Sequence, residues 1–308
     1  MFEKILFATT ASPTCDNAAK VAFDIADKYD SEKLTVFHVL GIPTRAYSPF
    51  VKDVRTGETE HGDSEYKQWV LEEMKNTYSK QMEGVEYCEL DTKIGIPHAE
   101  VLRAAREKDI NLIVMGAHTR EEDTGASRYR SVAGRTMQKV AKAARCPVLI
   151  VSRPCETCFK LFSHVVFGTD FSKAADSAFQ FAYEVAKDVG ARLHLFHSCD
   201  IRSIGTGREQ TQEEIEAKID KARDLMEQKY VSKMGDFDNY DIEIWEGIPY
   251  VEILKFAREK QSDLIVMAHH TRTIDPDEAE LGSTVEQVVL RSACPVASVN
   301  HPDKMISL

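Results

Sequence analysis

Short runs rich in Val, Ile, Leu and Phe alternate with longer segments whose apolar residues recur every three to four positions. In the first half the runs lie at residues 5–9, 34–39, 85–93, 112–115 and 148–151. The helical segments between them lie at 16–29 and 64–82, from Pro97 to Lys108, and just before the last run. Strands that alternate with helices form parallel sheets with helices on their faces. The pattern therefore predicts an α/β fold.

The second half of the chain repeats the first. Residues 95–120, GIPHAEVLRAAREKDINLIVMGAHTR, match residues 247–272, GIPYVEILKFAREKQSDLIVMAHHTR, without a gap. The segments KILFATTAS and HVVFGTDFS also match, as do LTVFHV and LHLFHS, and GRTMQKVAKAARCPVLIV and GSTVEQVVLRSACPVASV. A repeat of this length indicates two copies of one domain. We place them at residues 1–152 and 162–301, joined by a linker that contains a proline and lacks apolar periodicity.

The composition fits two packed domains with an acidic surface. Of the 308 residues 43% are hydrophobic and 29% charged, and the net charge is −11. Because a negative surface repels phosphate backbones, no nucleic-acid partner is expected. No run approaches the roughly 20 apolar residues that span a bilayer. The opening residues, MFEKILFATT, lack the long apolar stretch of a signal peptide, so the sequence predicts a cytoplasmic protein without membrane contact.

A ligand site is expected beyond the carboxyl ends of the strands, where strand order reverses in open parallel sheets. In the second copy Asp170 follows the first strand. It either accepts hydrogen bonds from a ribose or base, or caps the next helix. After the fourth strand and a polar loop, Gly282 and Ser283 open a helix. Its N–H groups could hold a phosphate, although most Gly-Ser helix starts are plain caps.

These segments resemble the universal stress protein family, and the resemblance covers nearly the whole chain twice. It is carried by TDFS at 169–172, the LHLFH strand, the two GIP turns, LIVMG at 112–116 and the two CPV segments. The resemblance implies two doubly wound five-stranded parallel sheets of strand order 3-2-1-4-5. It also implies that the domains pack as an internal pseudo-dimer through their last strands, and that an adenine nucleotide, ATP or AMP, is bound. A homodimer of whole chains stays open, and the protein partner is unidentified.

The implied nucleotide site lies in the second domain, because the motif is better kept there. Its candidate residues are Thr169, Asp170, His197, Ser198, Gly247, Ala268, His270, Thr271, Arg272, Gly282 and Ser283.

Both copies depart from the nucleotide-binding pattern of the family, G-x2-G-x9-G-[S/T] with an Asp after the first strand. In the second copy Ala268 and Thr271 replace two glycines, and Thr271 puts a side chain where backbone should approach phosphate. In the first copy Thr10 replaces the Asp, and Gly134 is followed by Arg135. The arginines of that copy, Arg128, Arg130 and Arg135, hold phosphate or are solvated loop charges.

Three functions follow as hypotheses. The first is a regulatory or protective stress-response protein that binds an adenine nucleotide in its second domain. The second is a protein-interaction module without a nucleotide, favoured by Thr10, Arg135 and Thr271. The third is a nucleotide hydrolase or transferase with at most weak ATP hydrolysis, for which no catalytic residue can be identified.

Other polar clusters are weaker candidates. Cys155 and Cys158 have the spacing of a redox motif or half a zinc site, but no second such pair exists and a metal is not expected. His269 and its neighbours are interpreted as polar loop residues rather than ligands. Residues 41–62 carry strong turn signals and are interpreted as a flap over the first crevice.

Overall fold

The computed structural model describes residues 2–42, 50–52, 57–117, 134–152, 162–201, 210–269 and 281–305. The chain divides into two compact units, Phe2–Ser152 and Arg153–Leu308, here called the first and the second domain. Each domain is a mostly parallel sheet with four described helices.

The first domain contains seven strands and four helices in its described part. The strands are β1 Lys4–Thr9, β2 Lys33–Gly41, β3 Phe50–Lys52, β4 Thr59–His61, β5 Cys88–Gly95, β6 Leu112–Gly116 and β7 Val148–Val151. The helices are α1 Asp16–Lys28, α2 Ser64–Met82, α3 Pro97–Glu107 and α4 Arg135–Ala143.

The parallel strands of the first domain run in the order β5-β2-β1-β6-β7. The register pairs Ile5 of β1 with Leu34 of β2 on one side and with Leu112 of β6 on the other. All three side chains are buried, because helices cover the central strands. The predicted order 3-2-1-4-5 is confirmed.

Residues 41–62 contain more regular structure than their turn signals suggested. Strands β3 and β4 form an antiparallel hairpin in which Val51 faces Glu60, and β3 meets β2 at the pair Gly41 and Lys52. Val51 is fully buried. The segment thus contains a short hairpin in addition to its turns, and its interpretation as a flap over the first crevice stays a prediction. Each strand has only three residues, too few for period-two alternation to stand out from the surrounding turn residues.

The second domain repeats the architecture without the hairpin in its described part. Its strands are β8 His164–Gly168, β9 Arg192–Cys199, β10 Tyr240–Glu246, β11 Leu264–Ala268 and β12 Val296–Val299. Its helices are α5 Ala175–Val189, α6 Gln212–Lys229, α7 Pro249–Glu259 and α8 Ser283–Arg291. The strands are parallel and run in the order β10-β9-β8-β11-β12.

Local sequence explains where several elements begin and end. Helix α6 begins after Thr211, which forms a capping box with Glu214. Helices α3 and α7 begin at prolines, which need no N–H acceptor in a first turn. Gly190 ends α5 in the left-handed conformation. Within the described ranges, no helix combines the length and apolar character that crossing a bilayer demands.

Candidate functional site

The crevice of the second domain lies between the neighbouring parallel strands β8 and β11, where the strand order reverses. Gly168, the last residue of β8, pairs with Phe196 of β9 and with Met267 of β11. The chain leaves the sheet immediately afterwards through Thr169 and Asp170. These two residues therefore stand at the switch point at which open parallel sheets bind ligands.

Thr169 is the centre of a hydrogen-bond network that fixes this loop. Its Oγ1 lies 2.8 Å from the hydroxyl of Tyr230 and accepts from the N–H of Phe171 at 2.9 Å. Its carbonyl oxygen accepts from Nδ1 of His197 at 2.8 Å. Phe171 has a φ of 65°, and its ring centroid lies 4.6 Å from that of His197. The network therefore holds a strained turn in one conformation.

The first domain contains the same network. Oγ1 of Thr9 lies 2.6 Å from the hydroxyl of Tyr78 and accepts from the N–H of Ala11, and Nδ1 of His38 donates to the Thr9 carbonyl at 2.8 Å. Ala11 also has a positive φ, 53°. Sequence reasoning treated both tyrosines as apolar helix positions. Their identical placement in the two repeats was the available signal, since a purely apolar role does not demand a hydroxyl twice.

Asp170 is exposed and oriented by its own turn. Its Oδ1 accepts from the N–H of Ser172 at 3.0 Å, which is the geometry of an Asx turn. Helix α5 begins at Ala175, and its N-cap residue, Ala174, provides no side-chain acceptor. The alternative that Asp170 caps this helix is therefore wrong, because the helix starts too far along the chain.

Lys229 binds the loop after β8 from the last turn of α6. Its Nζ donates to the carbonyls of Phe171 and Ser172 at 2.7 and 2.9 Å and forms an ion pair with Asp176 at 3.0 Å. The first domain has Thr77 at the equivalent position. Sequence reasoning missed Lys229, because a lysine at a helix end is ordinary and its partners are main-chain atoms.

His197 is neutral at physiological pH in this environment. Burial lowers the pKa of His197, against the hydrogen bond to Thr169 and the charge of Asp170, which raise it. Because Nδ1 faces a carbonyl oxygen, Nδ1 carries the proton of the neutral ring, and Nε2 carries a lone pair.

Ser198 and Gly247 are joined at the ends of β9 and β10. Oγ of Ser198 donates to the carbonyl of Gly247 at 3.0 Å, and the N–H of Gly247 donates to Cys199. Gly247 has a φ of 135°, and a Cβ there would lie 2.7 Å from Oε1 of Glu252. The backbone conformation at this position therefore favours glycine, and a Cβ would in addition make the Glu252 side chain move.

Ala268 ends β11 and is buried against the sheet, where it pairs with Val299. The N–H of Gly282 donates to the carbonyl of His269 at 2.9 Å, so α8 starts directly beside the end of β11. The first intrahelical bond runs from Glu286 to the carbonyl of Gly282. The N–H groups of the first turn, which begins at the exposed Ser283, therefore have no acceptor within the helix.

Eight of the eleven predicted site residues are described, and they all lie at the carboxyl edge of the second sheet. The other three, His270, Thr271 and Arg272, lie outside the described residues. An exposed carboxylate, a neutral imidazole and a helix N-terminus thus follow neighbouring strands. This combination can bind a ligand that carries hydroxyl groups at one end and an anion at the other.

The corresponding crevice of the first domain contains an open-sided cavity of about 80 Å³. Thr10 and Gly116 line it where the second domain has Asp170 and Ala268. Arg135 is exposed in the first turn of α4. Arg128 and Arg130 lie outside the described residues.

The remaining histidine and cysteine candidates add no ligand-binding group to the described site. His269 directly follows β11 and is 1% exposed, with Nδ1 at 3.3 Å from Oγ of Ser298; its interpretation as a polar loop residue rather than a ligand stays a prediction. Burial raises the pKa of Cys294 to about 12, so this thiol is unreactive in the folded protein. Cys155 and Cys158 lie outside the described residues. In the part of the chain that the structure covers, no group of three metal-binding side chains occurs.

Comparison with known proteins identifies the family. The family model described as "Universal stress protein family" matches the chain twice, at residues 1–152 and 161–300. The chain belongs to the universal stress protein family. Its tandem arrangement follows from the two successive matches.

Related proteins agree with this assignment. Universal stress protein MJ0531 of Methanocaldococcus jannaschii is 32% identical over 147 residues, which are 47% of this chain and 85% of that protein. Universal stress protein MJ0577 of the same organism is 26% identical over 50% of this chain and 96% of its own length. Among solved structures, a universal stress protein from Archaeoglobus fulgidus shares the fold with a TM-score of 0.66 and 23% identity, over 97% of both chains.

Proposed function

We propose that this protein is a stress-response regulatory or protective protein whose second domain binds an adenine nucleotide, ATP or AMP. The observation that carries the proposal is the exposed carboxylate of Asp170 at the switch point of the sheet, fixed by the N–H of Ser172. A fixed carboxylate accepts hydrogen bonds from a ribose without losing side-chain freedom when it does so.

The start of α8, at the other end of the crevice, suits the phosphate of such a ligand. The first turn of α8 presents N–H groups and the positive end of the helix dipole, and Ser283 adds an exposed hydroxyl. Gly282, with a φ of −60°, leaves the approach to these groups unobstructed by a side chain.

The role is proposed as binding rather than chemistry. His197 holds the loop through its Nδ1, and Asp170 is engaged in its turn, so neither forms an acid–base pair with the other. Any ATP hydrolysis is accordingly expected to be weak. The pseudo-dimer of the two domains and the cytoplasmic location stay part of this proposal.

Isothermal titration with AMP and with ATP tests the proposal. The intact chain should bind at least one of them saturably. Replacing Asp170 with Asn should weaken binding about tenfold or more, because a hydrogen bond to a charged group contributes about 1.5–3 kcal/mol. Gly282→Val should abolish it.

Gly134→Val is the matched control, because Gly134 precedes α4 with the same φ of −60° in the first domain. Binding should survive this change. Absence of heat at millimolar AMP and ATP would reject the nucleotide proposal and favour the protein-interaction alternative. Turnover that disappears in Asp170→Ala would instead support the enzyme.

A further inference from the structure

The cavity of the first domain has walls of a different chemistry from those of the second crevice. Phe37, Val39, Val101, Met115 and Met137 line it, and all five are buried. Of the described residues around this cavity, none carries a formal charge. An ionised ligand group would therefore meet no side-chain countercharge among the described lining residues, which favours an uncharged ligand.

Two substitutions between the repeats produce this difference. Thr10 stands where the second domain has Asp170, so the negative charge is absent. Val39 stands where the second domain has Ser198, whose hydroxyl binds the Gly247 carbonyl. Both changes replace a more polar side chain by a less polar one. The first crevice is thus less polar than the second and better suited to a neutral ligand.

Packing under the crevice also differs. In the second domain Ile253 extends over Gly168, where a Cβ would lie only 2.5 Å from its Cδ1. In the first domain Val101 replaces this isoleucine and is one methyl group shorter, and Ala8 replaces the glycine. Ala8 and Val101 both line the cavity. The side chain at position 101 is therefore shorter at this wall of the cavity than its counterpart in the second domain.

The cavity has hydroxyl groups at one side. Oγ1 of Thr10 lies 2.7 Å from Oγ of Ser12, which lies 2.9 Å from Oγ1 of Thr14. The same Thr10 hydroxyl lies 3.3 Å from Sγ of Cys15, and Thr10 and Cys15 both line the cavity. A hydroxyl group can rotate to donate or to accept a hydrogen bond. This row of hydroxyl groups can therefore bind one polar atom of a ligand, whether that atom is a donor or an acceptor.

We propose that the cavity of the first domain binds a small uncharged molecule, largely apolar, with a single hydroxyl or carbonyl group, such as a short-chain alcohol or ketone. The volume of about 80 Å³ is roughly half that of a 150 Å³ cavity that holds benzene, so the occupant has few non-hydrogen atoms. The site is independent of nucleotide binding in the second domain, because the residues that line it belong to the first.

Methionine methyl groups report on the cavity directly. In NMR spectra of the full chain labelled with ¹³C-methyl methionine, 2-propanol should shift the Met115 and Met137 signals saturably. The dissociation constant should be on the order of millimolar, since a ligand of so few atoms cannot bind tightly. Met267, the counterpart of Met115 in the second domain, is the internal control and should move only linearly.

Two variants locate the binding. Val101→Leu extends a methylene group into the space and should weaken binding about tenfold, whereas Ile253→Leu, the matched change in the second domain, should leave it unchanged. Thr10→Asp introduces the carboxylate of the second domain and should weaken it similarly. Dispersion of the methionine signals verifies folding in each variant.

Three results would overturn the proposal. One is a strictly linear shift of Met115 and Met137 up to high concentrations of 2-propanol. Another is tighter binding of acetate or AMP than of 2-propanol at these two signals, which would assign the cavity to an anion. The third is full affinity in both Val101→Leu and Thr10→Asp. None of them bears on AMP binding at Gly282, which the titration measures separately.

Discussion

Thr169→Val should destabilise the second domain more than its size suggests. Valine has nearly the shape of threonine but lacks Oγ1, which lies 2.8 Å from the Tyr230 hydroxyl and accepts from the N–H of Phe171 at 2.9 Å. Each buried polar group left without a partner costs about 1–3 kcal/mol, so the variant should lose about 2–4 kcal/mol. Tyr230→Phe removes only the tyrosine hydroxyl, and Oγ1 of Thr169 still accepts from the N–H of Phe171, so this variant should lose only about 1 kcal/mol.

The double variant Thr169→Val/Tyr230→Phe makes the reasoning quantitative. In the double variant the Tyr230 hydroxyl is absent, so the loss of Oγ1 from Thr169 no longer leaves a buried hydroxyl without a partner. The double variant should therefore be more stable than the sum of the single losses predicts, by about 1 kcal/mol. Thr169→Ser, which keeps the oxygen, is the control and should lose little.

Urea unfolding followed by tryptophan fluorescence measures these changes. The chain has two tryptophans, Trp69 in the first domain and Trp245 in the second. A Trp69→Phe background therefore reports the second domain alone, which avoids treating a two-domain chain as one transition. Strict additivity of the Thr169 and Tyr230 losses would refute the network.

Three further predictions follow. Burial, and to a lesser extent the charge of His194, lowers the pKa of His164 in the folded protein. The unfolded chain therefore binds more protons at mildly acidic pH. The stability of the second domain should accordingly fall as the pH drops below about 6.5. A His164→Gln variant should show a shallower fall in urea midpoint between neutral and mildly acidic pH, and an equal slope would contradict this. Gly247→Ala should cost about 1–3 kcal/mol in the same assay because of its φ of 135°. Gly190→Ala, at a φ of 71° with open space around the added Cβ, should lower the stability less. Equal losses for the two variants would show that the contact with Glu252 contributes nothing. Cys294, with a pKa of about 12, should stay unmodified by a thiol reagent at pH 8 until the protein is unfolded, and rapid native labelling would show the burial to be wrong.

Much of the fold was accessible from sequence because the apolar pattern and the repeat agree. In the first domain helix α2 and strand β7 have the predicted bounds, and most other ends differ by one or two residues. The third strand of the first domain was placed at residues 85–93, whereas β5 is Cys88–Gly95. Val85 is buried but ends the preceding turn, so an apolar residue was mistaken for a strand start.

The candidate site was less accessible, because it depends on polar contacts between distant residues. The repeat located Thr169 and Asp170 at the strand end. Nothing local indicates that Tyr230 reaches Thr169, 61 residues away, or that Lys229 reaches the carbonyls of Phe171 and Ser172. The role of Asp170 as an Asx turn rather than a cap also required knowledge of where α5 begins. Main-chain acceptors have no residue type, and a sequence pattern therefore cannot reveal them.

The contact between positions 168 and 253 constrains how the two halves diverged after duplication. The pairs Ala8–Val101 and Gly168–Ile253 contain the same number of side-chain carbons, so one pair converts to the other through a mixed intermediate. Alanine with isoleucine would force an overlap near 2.5 Å. Glycine with valine would leave a gap of one methyl group, at a cost of about 1 kcal/mol. Each mixed pair therefore has its own packing cost, so replacements at positions 168 and 253 should be energetically coupled rather than independent.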